Sequence, residues 1–230
     1  MSAKGSPESF YNKAISFWKT KASTIDDMLG GLGHLSGKDI ATSTQFLYPY
    51  FSPLRDHPNS LTRALDCGAG IGRVTKCLLI PMFDEVDMVE QSSSFLEKAP
   101  RFLGDDISNV KNLFCSGLQT FIPTEDRYDL IVCQWVLAYL TDDDLLLFFK
   151  RCINALKRPS GLIFVKENVT WTNDSEVDEE DSSVTRPECS FKQIFSQSGL
   201  KILSESVQRD FPEELYPVKM YILQPVVFLS

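Results

Sequence analysis

Histidine is scarce in this 230-residue chain, at two residues, and none of its six cysteines forms a Cys-x-x-Cys pair. Cys67, Cys77, Cys115, Cys133, Cys152 and Cys189, with His34 and His57, offer no metal-ligand spacing, so no metal is expected. The pattern predicts reduced, mostly buried thiols in an intracellular protein. Long apolar runs are missing as well. The longest, Leu145–Phe149, is far too short to cross a bilayer, and "MSAKGSPESF" lacks the apolar core of a signal peptide. Positive charge is in deficit: 23 Lys and Arg against 31 Asp and Glu give a net charge of −8. No basic cluster is available to follow a phosphate backbone. Nucleic acid and membrane are therefore not expected partners, and a basic peptide or small cation fits better. With no basic import cluster either, the expected location is cytoplasm, nucleus or both.

Helical spacing opens the chain. Phe10, Ala14, Phe17, Trp18 and Ile25 predict one or two amphipathic helices before the Gly-rich "LGGLGHLSG", and "TSTQFLYPYF" predicts another that ends near Pro49 or Pro53. From residue 63, short apolar runs alternate with helical segments: "RALDCG", "VTKCLLIPMF", "EVDMVE", "SSFLEKAPRFL", "VKNLFC", "YDLIVCQWV", "DDDLLLFFKRCINALK" and "GLIFVKENV". This order predicts an α/β fold, a doubly wound, mostly parallel sheet with helices on both faces. "LKILSESVQ" and "PVKMYILQP" are expected to pair late as a hairpin, adding an antiparallel strand. One domain is expected over 1–230, with a helical part to about residue 60 and a Rossmann-like core from 61.

The chemistry starts at "ALDCGAGIGR", residues 64–73, a strand entering a Gly-rich turn and then a helix. Gly68, Gly70 and Gly72 permit a sharp turn and close approach to a ligand. A dinucleotide fingerprint needs a third glycine at position 73, which is Arg73. Asp66 lies two residues before the first glycine, and Glu90 ends the next strand twenty residues after Gly70, where an acid can accept hydrogen bonds from ribose hydroxyls. Together these features resemble the S-adenosylmethionine site of class I methyltransferases.

The stretches "FYNKAISFW", "DDMLGGLGHLS", "ALDCGAGIGRVTK", "EVDMVE", "CSGLQTF", "QWVLAYLTD" and "DEEDSSVTR" narrow the family. From about Phe10 to Ile222 the chain resembles the eukaryotic protein alpha-N-terminal methyltransferases, which methylate the N-terminal amine of Xaa-Pro-Lys proteins. The resemblance implies S-adenosylmethionine as cofactor, held by Gly68, Arg73, Glu90, Gln91, Ser92, Leu118, Gln119 and Gln134. It places Trp135 and Asn168 at the substrate's first residues, and Asp178, Asp181, Ser183 and Tyr216 around the peptide. Trp18 and "GGLGHLS" align with a helical lid, Trp18 more as helix packing than as a direct contact.

In the acidic loop at about 170–185 the resemblance makes Asp181 the proton acceptor, with Asn168 orienting the amine or the first carbonyl. Glu176, Glu179 and Glu180 are read as solvated. Two positions depart from the family: Tyr139 stands where its best-known members carry a His, and Phe17 where a Tyr is common. The implied activity is methylation of the α-amine of Xaa-Pro-Lys/Arg N-termini after removal of the initiator Met. Two alternatives stand beside it: a catalytically weak regulatory paralogue, which Tyr139 keeps open, and a class I methyltransferase of a small-molecule amine.

Overall fold

A computed structural model describes residues 6–51 and 61–228. Pro53 and His57 lie outside the described residues. The chain opens with α1 (Pro7–Lys19), the short α2 (Ile25–Met28) and α3 (Ser36–Phe51). Ser6 caps α1 by accepting from Ser9 N at 3.3 Å, and Pro7 takes the first helical position, where its missing N–H leaves nothing unpaired. α3 runs through Pro49 to Phe51, whose buried ring lies 5.1 Å from that of Phe83. Burial of Leu47 and Phe51 holds this last turn in place.

The core strands are β1 (Arg63–Cys67), β2 (Glu85–Glu90), β3 (Val110–Cys115), β4 (Leu130–Gln134) and β5 (Leu162–Asn168). A small hairpin of two-residue strands, β6 (Glu176–Val177) and β7 (Val184–Thr185), comes next, and β8 (Leu200–Val207) and β9 (Val218–Pro225) close the sheet. The strand order is β3-β2-β1-β4-β5-β9-β8. β1 to β5 pair in parallel, and β9 runs antiparallel to both β5 and β8, so the expected late hairpin is present. Both faces of the central strands are covered, which is why "LIVC" and "LIFV" read as unbroken apolar runs.

Strand alternation sorts these residues between two cores. Leu65, Ile131 and Ile163 pack with Phe148 and Phe149 of α5 (Asp142–Ala155) and with Phe191 and Phe195 of α6 (Glu188–Gln197). Ala64, Val132 and Phe164 pack with Leu47 of α3 and with Leu78 and Leu79 on the opposite face. α4 (Ser93–Leu103) covers the β2–β3 side. Three elements differ from expectation. The helix after the glycine turn includes a π-helical turn at Thr75–Leu79, α6 is additional, and the acidic loop is the β6–β7 hairpin. The thiols divide evenly rather than being mostly buried: Cys67, Cys133 and Cys152 are buried, while Cys77, Cys115 and Cys189 are exposed. Among the described residues no helix is long and apolar enough to cross a membrane, and no cluster of His, Cys, Asp and Glu could hold a metal.

α3 is tied to the sheet through charge. Asp39, fully buried, pairs with Lys166 Nζ of β5 at 2.5 Å and with Arg73 Nη1 at 2.6 Å. Burial pushes the Lys166 ammonium below its ordinary value, against the pull of Asp39. Ser43 Oγ and Gln208 Oε1 also accept from Lys166 Nζ, at 3.0 and 2.7 Å. Removing Asp39 would strand two buried cations. Asp39→Ala is expected to lower the unfolding free energy by roughly 3–5 kcal/mol in urea titrations; a loss below about 1 kcal/mol would show that water already screens the pair.

Candidate active site

The glycine turn is held by β2. Gly68 N and Ala69 N donate to Val89 O at 2.9 and 3.1 Å, and Gly70 N donates to Glu90 Oε2 at 3.1 Å. Gly68 has φ +72°, and a Cβ there would meet Val136 Cγ2 at 2.4 Å, so both conformation and space require glycine. The other Glu90 oxygen accepts from Ser92 N at 2.8 Å, and burial pushes this carboxyl up. Asp66 lies behind the turn. Its carboxylate accepts from Thr75 Oγ1 at 2.6 Å, and burial raises its pKa to about 6. Every residue assigned to the cofactor except Ser92 lines one cavity above this turn. Ser92 immediately precedes α4 and holds Glu90 through its backbone N–H.

A second cavity of about 340 Å³ adjoins the first. Trp18, Trp135, Asn168, Asp181, Ser183 and Tyr216 line it. Asp178 does not. It is exposed and closes the hairpin turn, accepting from Glu180 N at 2.7 Å and donating its own N–H to Ser183 O at 2.9 Å. Its N–H bonds to the backbone of Ser183, a residue that does line the cavity. Glu176, read as solvated, accepts from the Tyr216 hydroxyl. The two cavities share Trp18, Met28, Leu29, Trp135 and Tyr139, which mark where a reacting group would cross.

Trp135 has φ +52°, a left-handed conformation that is strained for a bulky residue. Three consecutive residues of β5 hold it there. Lys166 O accepts from Trp135 N at 2.9 Å, and Glu167 Oε1 accepts from both Val136 N and Leu137 N at 2.7 Å. Asn168 Oδ1 accepts from the Trp135 indole at 3.1 Å. From the other side Arg186, 1% exposed, donates to Leu137 O at 3.1 Å and to Leu140 O.

Asp181 is held by Ser183 N at 2.8 Å and by the Tyr139 hydroxyl at 2.6 Å. Burial, followed by the hydrogen bond to Asp181, pushes the Tyr139 phenol far above its ordinary value, so it remains a donor. Trp18 packs edge-on against Tyr139 with ring centroids 5.8 Å apart, and it lines both cavities as well.

A family model described as AdoMet-dependent proline di-methyltransferase matches residues 6–224. The chain belongs to the AdoMet-dependent proline di-methyltransferases. N-terminal Xaa-Pro-Lys N-methyltransferase 1 of Homo sapiens is 45% identical over 217 residues, covering 94% of this chain and 95% of its own. Its Xenopus tropicalis counterpart is 44% identical over 215 residues, with 94% and 95% covered. A solved SAM-dependent methyltransferase from Leishmania major has a TM-score of 0.84 at 38% identity, covering 97% of this chain and 87% of that one. The Burkholderia thailandensis 1,6-didemethyltoxoflavin-N1-methyltransferase, solved with S-adenosylhomocysteine, has a TM-score of 0.66 at 15% identity, with 98% and 93% covered; this shows the shared fold.

Members of this AdoMet-dependent family need a site for a methionine zwitterion, and the first cavity fits one. Gln134 donates its amide Nε2 to Asp39 at 2.7 Å, which leaves Oε1 buried without a partner, a ready acceptor for an α-ammonium. Arg73 gives Nη1 to Asp39 and, with five donors on a guanidinium, keeps capacity for the carboxylate. Glu90, Leu118 and Gln119 line the same cavity. Asp39, Lys166 and Glu167 lie outside the sequence motifs; "FVKEN" marks Lys166 and Glu167 as charges inside an otherwise apolar strand but not their partners, and nothing in the sequence marks Asp39.

Glu167, 2% exposed, has its pKa raised to about 7 by burial, while its backbone hydrogen bonds and Arg186 pull the other way. A carboxyl raised in the folded state contributes stability that is full below its unfolded value and is lost as pH rises through the folded value. Glu167→Gln keeps an acceptor for Val136 N and Leu137 N and removes the titration. The variant should gain on the parent by up to roughly 3 kcal/mol between about pH 4.5 and 7.5. Asp66 cancels in this comparison. Urea unfolding across pH reads the difference, and a pH-independent gap would show that Glu167 does not titrate in this window.

Proposed function

We propose that this methyltransferase transfers methyl groups from S-adenosylmethionine to the α-amine of protein N-termini of the Xaa-Pro-Lys/Arg type, exposed after removal of the initiator Met. The observation that carries the reading is the meeting of the two cavities at Trp135 and Tyr139, with Asp181 and Asn168 on the peptide side. The relatives' printed names, N-terminal Xaa-Pro-Lys N-methyltransferase, support it. The same reading places the protein in the cytoplasm or nucleus, where processed N-termini of this kind occur.

When bound, S-adenosylmethionine supplies an electrophilic methyl carbon on a sulfonium. The residues of the chain do the rest. Trp135, fixed by Asn168, lines both cavities and would guide the acceptor amine toward the donor held in the first. Positioning of this kind supplies roughly 7–11 kcal/mol of rate acceleration in well-aligned systems. An α-amine with a pKa of about 8 arrives mostly protonated, and only its free lone pair can attack. Asp181 receives the proton, and the exposed acids Asp178, Glu179 and Glu180 attract the cationic third residue.

The test is mass spectrometry of Ser-Pro-Lys and Ser-Ala-Lys peptides incubated with enzyme and cofactor. Methylation confined to the first peptide is expected. Cofactor binding without turnover would sink the enzyme reading in favour of a regulatory paralogue, and equal turnover of both peptides would sink the proline requirement. Asp181→Asn should lower kcat by about 100-fold or more with cofactor affinity nearly unchanged. Matched losses in both would place Asp181 in the structural framework.

A further inference from the structure

Tyr139 and Asp181 differ in what they reach. Tyr139 lines both cavities, whereas Asp181 lines the peptide cavity alone. The phenolic O–H points from the junction toward Asp181, donating to Oδ2 at 2.6 Å, and the Ser183 N–H holds Oδ1 at 2.8 Å. A hydroxyl that donates one hydrogen bond still has lone pairs to accept another. The Trp18 ring, packed edge-on at 5.8 Å and 77°, fixes the phenol plane.

We propose that Tyr139 is a catalytic proton relay: its oxygen accepts a proton from the substrate α-ammonium as its own proton passes to Asp181. The proposal rests on the reading of a protein N-terminal amine as the acceptor. In this step one N–H bond breaks and a phenolic O–H forms, while the old phenolic O–H breaks and a carboxylic O–H forms on Asp181. Tyr139 is neutral before and after. Ammonium and carboxylate become amine and carboxylic acid, an exchange that a dry site favours because two charges disappear together. The freed nitrogen lone pair then attacks the methyl carbon, the carbon–sulfur bond breaks, and its electron pair returns to sulfur. Asp181, part-exposed, releases its proton to solvent.

A phenol acting alone as base would have to be a phenolate before the amine arrives. Burial and the charges of Asp181 and Glu167 oppose that form. A relay needs no ionised phenol, so the same surroundings that forbid the base leave the relay intact.

Ser-Pro-Lys peptide turnover by the full chain provides the test, with Tyr139→Phe, Tyr139→His and Asp181→Asn compared with the parent from pH 6.5 to 9.5. Dividing each variant's rate by the parent's at the same pH removes any contribution from Glu167. Tyr139→Phe should lose about 100-fold in kcat near pH 7, with the Kd for S-adenosylmethionine within about twofold of the parent. The deficit should shrink toward pH 9, where the peptide amine is already neutral. Tyr139→His, which restores a proton-accepting ring, should keep most of the activity. A Tyr139→Phe enzyme within about threefold of the parent at pH 7, or one whose loss is the same at every pH, would overturn the relay. The Kd for S-adenosylmethionine and the activity of Tyr139→His guard against a misfolded Tyr139→Phe: a Tyr139→His enzyme as inactive as Tyr139→Phe at pH 7, with cofactor affinity intact, also overturns the relay. An inert parent would instead refute the amine-methylation reading, and the relay would fall with it.

Discussion

A carboxylate with no exposed surface, Asp39, stands between two cations that are themselves almost wholly buried, Lys166 and Arg73, and also receives the amide of Gln134. These four groups come from different places in the fold: α3 carries the acid, β5 the lysine, the segment after the glycine turn the arginine, and the end of β4 the glutamine. Desolvating such a cluster is expensive, so it argues for a fixed arrangement more than for stability. The arrangement it fixes is functional. It holds Arg73 in the lining of the cofactor cavity and turns the Gln134 amide so that its buried Oε1 is left without a partner there.

The second constraint is the turn after β4. Lys166, Glu167 and Asn168 follow one another on β5 and between them accept from Trp135 N, Val136 N, Leu137 N and the Trp135 indole. Glu167 and Arg186 grip the same turn from its donor and acceptor sides, which is how a Trp persists at φ +52°. Val136 presses on Gly68, so this turn is at once a wall of the cofactor cavity and the frame of the peptide cavity. The positions of Trp135 and Tyr139 relative to the methyl donor therefore depend on backbone hydrogen bonding more than on loop flexibility.

Charge in the β6–β7 hairpin divides by geometry. Asp181 turns inward and meets Tyr139, whereas Asp178 bonds to the backbone of its own turn and stays exposed with Glu179 and Glu180. The outward acids add to the negative field of a protein that is already negative overall. The inward one is available for chemistry. Tyr139, a poor base in isolation, gains a role through this partner.

From the chain alone, the β/α alternation, the glycine turn and Glu90 were legible, because each is encoded by local pattern: period, glycine spacing and a strand-ending acid; Leu118, Gln119 and Gln134 were named only through the family resemblance. The late hairpin was legible from local pattern as well. Asp39, Lys166 and Glu167 were not, since a charge in a sequence carries no mark of what will neutralise it. Only the packing of α3 against the C-terminal ends of β4 and β5 brings these groups within hydrogen-bond distance, across separations of more than a hundred residues for Asp39 and Lys166. The fate of Asp178 and Asp181, three residues apart in one acidic run, was likewise decided by the tertiary structure: a small hairpin sets which carboxylate turns toward Tyr139 and which toward water. Sequence determined which residues were available for the chemistry; the fold determined which of them meet.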